Sequence, residues 1–177
     1  KAFDKADHSA LLIKLMQRLI PVKLLDLLVN WLSSCSSCIK WNDAFSEFFG
    51  IKFGVRPGSV LSPYLFAVYV NDIAKCHAGN LCSFVILYAD NILLVSSSVN
   101  VLQKMLFACA TEFSWLNMDI NYKKSTCIRI GSRCDTTPGN INTAAGHDLL
   151  WNTKIRYLGV CILRSNIFKC DFSDCKK

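Results

Sequence analysis

The residues with the clearest chemical potential are Tyr88-Ala89-Asp90-Asn91, set between the apolar runs Phe84-Val85-Ile86-Leu87 and Ile92-Leu93-Leu94-Val95. Two short β-rich runs split by a few polar residues predict a β-hairpin with the Asp90 carboxylate at its tip. A tight hairpin tip is a rigid mount, and a carboxylate there is the hard, anionic oxygen donor that Mg²⁺ takes. Asn91 beside it offers at most one neutral oxygen. Both residues also have a plainer reading. Asp is common in turns, and Asn is a turn residue that tolerates left-handed φ.

Other chemically capable residues are more scattered. Lys124 follows Lys123 ahead of a β-like run, so it can neutralise an anion or simply stay solvated. Phe3 reads equally as a core aromatic, and Tyr88 needs no function to pack under a hairpin. Arg56 and Gly58 flank Pro57 in a turn-rich stretch. His8, His77 and His147 have no partners at ligand spacing and read as structural or surface histidines, and Asp72 reads as structural. Ten cysteines raise the question of zinc. Cys35-Ser-Ser-Cys38 has no second pair at zinc spacing, and Cys170 with Cys175 completes no known pattern. Cys82, Cys109, Cys127 and Cys161 lie in apolar runs, where a thiol is a small core residue.

The elements that must position these residues follow from hydrophobic periodicity. Residues 8–20 place Leu11, Leu12, Leu15, Met16 and Leu19 at helical spacing, with Ser9 as the expected N-cap and Pro21 as the break. Residues 22–32 resume the helical pattern, and 33–37 read as loop. Asn42-Asp43 is a hairpin turn signal between two strand-like runs, 38–41 and 45–53. A helix over 64–75 turns Leu65, Phe66, Val68, Tyr69 and Ile73 inward. After the Asp90 hairpin, 100–116 is helical, with Ser98 or Asn100 as its cap. Residues 126–130 and 155–163 predict single strands, 134–152 a polar surface loop, and 164 onward gives no signal. Helices beside an antiparallel sheet make an α+β fold.

Composition sets the bounds. A chain of 177 residues suits one domain with a real core. Its 52% hydrophobic content is high for so small a domain and suggests faces that pack on other parts of a larger protein. A membrane span is not expected, because the longest uncharged run, 57–71, is broken by two prolines and a glycine. A net charge of +7 permits nucleic-acid binding without demonstrating it. With no signal-like leader and no disulfide framework, a reducing intracellular compartment is the expectation, cytoplasm and nucleus both open.

Five blocks in order resemble the palm of reverse transcriptases, most closely those of non-LTR (LINE-type) retrotransposons. They are Lys1-Ala2-Phe3-Asp4 with His8 and Leu11-Leu12-x-Lys14-Leu15; the run Gly54 to Pro63 with Leu65-Phe66 and Tyr69-x-Asn71-Asp72; Tyr88-Ala89-Asp90-Asn91; Asn121-x-x-Lys124-Ser125; and Tyr157-Leu158-Gly159-Val160. The resemblance implies a polymerase palm over residues 1–163, an antiparallel sheet with helices packed on one face, and a tail over 164–177. It implies an RNA-directed DNA polymerase, a nucleotidyltransferase of a transposable element. Its partners would be an RNA template, a DNA primer, deoxynucleoside triphosphates, and fingers and thumb segments. Its cofactor would be Mg²⁺, with Mn²⁺ as substitute.

Roles carry over by position. Asp90 would be a catalytic metal ligand with Asn91 at the neighbouring metal position, and Lys124 would act near the triphosphate. Phe3, Arg56, Gly58, Tyr88 and Ala89 would shape the nucleotide site, with Phe3 under the sugar. Tyr157, Leu158 and Gly159 would grip the primer. The chain departs from the pattern in three ways: the first-block metal acid falls three residues before Lys1, Asn91 replaces the second acid of the third block, and Pro57 stands where the family has Gln. Of three metal carboxylates, Asp90 alone is present, which implies an impaired enzyme. The alternative is a non-catalytic transposon remnant that at most binds nucleic acid.

Overall fold

The structure, a computed structural model, describes residues 2–56, 58–76, 82–136 and 138–173. Pro57, His77 and Cys175, singled out above, lie outside the described residues. The chain divides into two units, Lys1–Asp72 with Trp115–Met118, and Ile73–Ser114 with Asp119–Lys177.

In the first unit, a 3-10 turn at Phe3–Lys5 leads into helix α1, His8–Gln17. Its N-cap is Asp7, whose carboxylate accepts the Ala10 N–H at 2.8 Å, and not the expected Ser9. Asp7 is preferred because its backbone is still extended (φ −74°, ψ 126°), as an N-cap requires. The helix also stops earlier than its apolar spacing predicts. Leu19 takes φ 58°, its N–H donates to Met16 O, and Ile20 N–H donates to Leu15 O. That is the Schellman closure, with leucine where glycine is usual. Leu19 consequently points to solvent, 89% exposed, off the stripe formed by Leu11 and Leu15.

Pro21 opens helix α2, Val22–Ser33, which buries Leu28 and Leu32 and leaves Leu24, Leu27 and Val29 exposed. Four two-residue strands follow: β1 Ser36–Ser37, β2 Lys40–Trp41, β3 Ala44–Phe45 and β4 Phe49–Gly50. β2 and β3 close around Asn42-Asp43 as expected, with Asn42 at φ 52°. β1 pairs with β4, so part of the expected 33–37 loop is strand. Helix α3, Ser62–Val70, has Pro63 in its first turn, where the missing N–H costs nothing. It packs on α1 and buries Leu65, Phe66, Val68 and Tyr69, then tightens into a 3-10 turn at Asn71–Lys75.

The second unit contains the hairpin of β5, Ser83–Tyr88, and β6, Asn91–Ser96, then helix α4, Val99–Trp115, whose last residue belongs to the first unit. β7, Thr126–Cys127, is shorter than the strand expected over 126–130. β8, Ile141–Asn142, and β9, Asp148–Trp151, overturn the expectation of a surface loop over 134–152. β9 runs parallel to β7 and antiparallel to β8, and Ile141 and Leu149 enter a buried cluster with Leu106 and Cys127. Gln103 of α4 fastens this sheet like another strand. Its amide donates to Asn142 O at 2.7 Å and accepts the Asn142 N–H at 2.8 Å. Residues 155–163 are likewise two strands, not one: β10, Lys154–Tyr157, and β11, Val160–Leu163, reverse at Leu158-Gly159. β12, Lys169–Asp171, adds an edge to β11.

The class is α+β, with the strands shared among small, mostly antiparallel sheets. Cys109, Cys127 and Cys161 are core residues as expected, and burial pushes the Cys109 thiol up to about 12 and Cys127 to about 11. Cys82 is exposed instead, because it precedes β5 and shares the outward parity of Phe84, Ile86 and Tyr88. Among the described residues no helix is long and apolar enough to cross a membrane.

Candidate active site

The segments around Phe3 and Arg56 are zipped together in the first unit. Val55 N–H donates to Phe3 O at 2.8 Å and Gly54 N–H to Ala6 O at 2.7 Å. Gly54 has φ 89°, and a Cβ there would lie 3.0 Å from Asp4 Cα and O. Only glycine permits so close a backbone approach. His8 Nε2 lies 2.8 Å from Gly54 O, so this nitrogen carries the proton and the histidine is structural. Phe3 stacks on Phe66 with centroids 4.4 Å apart, which leaves its ring half-buried. Arg56 is exposed, and its carbonyl accepts the Ser62 hydroxyl at 2.6 Å, which folds the turn containing Gly58 (φ 83°) onto the start of α3.

Tyr69 and Lys14 complete this unit. The Tyr69 hydroxyl accepts the Asp7 N–H at 3.1 Å and donates to Leu116 O at 2.7 Å, and burial pushes its pKa up. Lys14 is buried on α1, paired with Asp72 and lying 4.5 Å from the Trp115 ring centroid. A buried ammonium needs such partners. Asp72 is structural, as expected. Lys14 stands in the first block without an assigned role, and its place beside Leu11 and Leu15 on the inward stripe is the signal that it is buried.

In the second unit, β5 and β6 pair in register from Ser83↔Ser96 to Tyr88↔Asn91 and leave a two-residue turn, Ala89-Asp90. Asp90 sits exposed at the tip and makes no hydrogen bond or ion pair among the described residues. Asn91 is not the turn residue its type suggested. It is the first rung of β6, and the left-handed φ of 50° falls on Ala89. Tyr88 is 62% exposed. Lys124 lies exposed in a turn in which Asn121 O accepts from Lys124 N–H, Ser125 N–H and the Ser125 hydroxyl. Beside it, Tyr122 stacks on His147 at 3.9 Å.

Tyr157 and Val160 pair across the turn Leu158-Gly159, whose φ values are 49° and 85°. Leu158 projects to solvent, whereas the Tyr157 hydroxyl is buried with no hydrogen-bond partner among the described residues. Burial pushes its pKa up. No hydrogen bond or ion pair links Asp90, Lys124 and the 157–159 turn to one another among the described residues. Nor, among the described residues, does any group of three or more His, Cys, Asp or Glu converge as a metal donor set. One exposed carboxylate with a neutral amide beside it does not fit a site for two divalent cations.

The profile of the family described as reverse transcriptase (RNA-dependent DNA polymerase) matches residues 1–162. The chain is 26% identical over 179 aligned positions to the RNA-directed DNA polymerase from mobile element jockey of Drosophila melanogaster, and 27% identical to that of Drosophila funebris. These alignments cover 95% and 96% of the chain but 19% of each relative, so it spans about a fifth of their length. The ordered blocks, the Asp90 turn and the profile agree, and the chain belongs to the reverse transcriptase family, on its non-LTR retrotransposon side.

Proposed function

We propose that the chain is the palm segment of an RNA-directed DNA polymerase and that its 177 residues alone do not perform the transfer. The observation that carries this reading is the Ala89-Asp90 turn, which presents one carboxylate while Asn91 is held in the strand ladder beside it. In such polymerases two divalent cations stabilise the attacking and leaving oxygens as a primer 3′-hydroxyl displaces pyrophosphate. The acids present here are too few for that pair, and no catalytic step is assigned to them.

Binding roles remain for this chain's own residues. Asp90 marks the metal position and Asn91 its neutral neighbour. Phe3, fixed by its stack on Phe66, would lie under the nucleotide sugar, with Arg56, Gly58, Tyr88 and Ala89 around the nucleotide. Lys124, exposed and free of an acidic partner among the described residues, would meet the triphosphate. Tyr157, Leu158 and Gly159 would hold the primer end. The substrates would be an RNA template, a DNA primer and deoxynucleoside triphosphates. The palm covers residues 1–163 in this reading, and β12 adds an edge from the 164–177 segment.

The test is primer extension by the full chain on poly(rA)/oligo(dT) with Mg²⁺ and then Mn²⁺. No templated product above a protein-free control is expected, and templated synthesis overturns the inactivity. A second arm places Asn91→Asp in a longer chain that carries the upstream acid. It should raise incorporation about a hundredfold, since metal stabilisation is worth several kcal/mol. No gain would remove Asp90 and Asn91 from the metal site.

A further inference from the structure

The second unit holds a cleft of about 410 Å³, none of whose lining residues belongs to the Asp90 turn. One wall starts at Ser96, at the far end of β6 from that turn, roughly 17 Å away at the rise of a strand. The volume falls within the range of small-molecule sites.

The lining has a consistent chemistry. Its polar lining residues include Ser97, Ser132, Arg129 and Arg133, and its apolar ones Leu102 and Trp151. Among the described residues no Asp or Glu lines it. Arg129 donates to the Thr136 hydroxyl at 2.9 Å, a neutral partner that orients the guanidinium without cancelling its charge. Arg133, Ser97 and Ser132 make no side-chain hydrogen bond or ion pair among the described residues. The segment bearing both arginines is held in place. Gly131 N–H donates to Ser165 O at 2.9 Å, and Ile130 forms a bridge with Ser165. Trp151 is fixed as well, its indole N–H donating to Gly139 O at 3.1 Å.

Two guanidinium groups without a counter-charge, next to two unengaged hydroxyls, form a donor set for a tetrahedral oxyanion. Guanidinium binds phosphate through paired N–H donors better than it binds any neutral group. Trp151 and Leu102, partly buried against the Leu106 and Cys127 cluster, bring apolar surface to the same lining, suited to a planar ring.

We propose that this cleft binds a nucleotide phosphate, free or within a polynucleotide, with Arg129 and Arg133 on the phosphate and Trp151 against the nucleoside. The site is separate from the Asp90 turn and stands whether or not the chain supports polymerisation.

The experiment follows backbone amide shifts of the ¹⁵N-labelled full chain during titration with dTMP, with oligo(dT) and with inorganic phosphate. Shifts at Ser97, Val99 and Gly131 are expected. Arg133→Gln changes an exposed side chain and should weaken binding about tenfold, as expected for a lost charged hydrogen bond. Saturable shifts with dTMP identify a mononucleotide site, and shifts with oligo(dT) alone identify a polynucleotide contact; either supports the proposal. Absence of shifts at these amides with every probe overturns it, as does unchanged affinity in Arg133→Gln. Equal affinity for inorganic phosphate and dTMP overturns the role of Trp151.

Discussion

At Tyr88-Ala89-Asp90-Asn91 the tyrosine pairs with Asn91 across a two-residue turn, and at Tyr157-Leu158-Gly159-Val160 the tyrosine pairs with Val160 across another. The two turns differ in backbone and in what they do with the ring. In the second, both central residues are left-handed, the primed geometry that matches strand twist, and one is glycine. In the first, only Ala89 is left-handed, and it carries a Cβ. Tyr88 stands in solvent beside an exposed acid, whereas Tyr157 turns its hydroxyl into the protein. Each tip holds one non-glycine residue at positive φ, Ala89 or Leu158, so the same outline yields one open tip that displays a charge and one anchored tip whose polar atom is hidden.

That contrast can be broken at the glycine first. Gly159→Val puts a β-branched residue at φ 85° and should lower stability by about 2 kcal/mol, read as a fall in the urea midpoint at unchanged slope. A neutral result would mean that the second turn can change type freely. Ala89→Gly should act in the opposite direction, raising stability by about 1 kcal/mol, because the strained position is then filled by the residue that suits it. If it destabilises, Ala89 is not strained.

The smallest effect is at the rings. Tyr157→Phe removes a buried hydroxyl that has no partner among the described residues and should stabilise by about 0.5 kcal/mol, while Tyr88→Phe should be silent. The pH dependence follows from the raised Tyr157 pKa. The folded state holds this proton more tightly than the unfolded chain, so its contribution is intact below pH 10 and lost as pH rises through the folded value. Urea midpoints measured on either side of pH 10 should therefore fall less in Tyr157→Phe than in the parent. An equal fall would place the hydroxyl in contact with water.

Where side chains repeat with a strong period, the sequence sufficed. α2, α3, α4 and the β5–β6 hairpin lie where apolar spacing and turn residues put them. It failed where elements are too short to show a period. Ile141 and Leu149 are single apolar residues in a polar stretch, and only the Gln103 clamp and the neighbouring β7 make strands of their surroundings. The reversal at Leu158-Gly159 was missed because an apolar residue occupies a turn position. For the candidate site, the residue types were visible but their engagement was not. Asn91 behaves as a strand residue, and the arginine cleft draws Ser97, Arg129 and Trp151 from three separate stretches that no local motif connects.

The zipper at Gly54 also has a consequence for the order in which the chain can assemble. Asp7 is joined to Tyr69 across 62 positions and His8 to Gly54 across 46, so α1 can meet α2 early but is not closed on its other side until α3 has been made. During vectorial synthesis Leu11 and Leu15 stay uncovered over that interval, several seconds at ribosomal speed. Such long-range closure slows folding relative to the local β5–β6 hairpin. Apolar surface of the first unit is therefore exposed for longer in a nascent chain than that of the hairpin bearing Asp90, which closes locally.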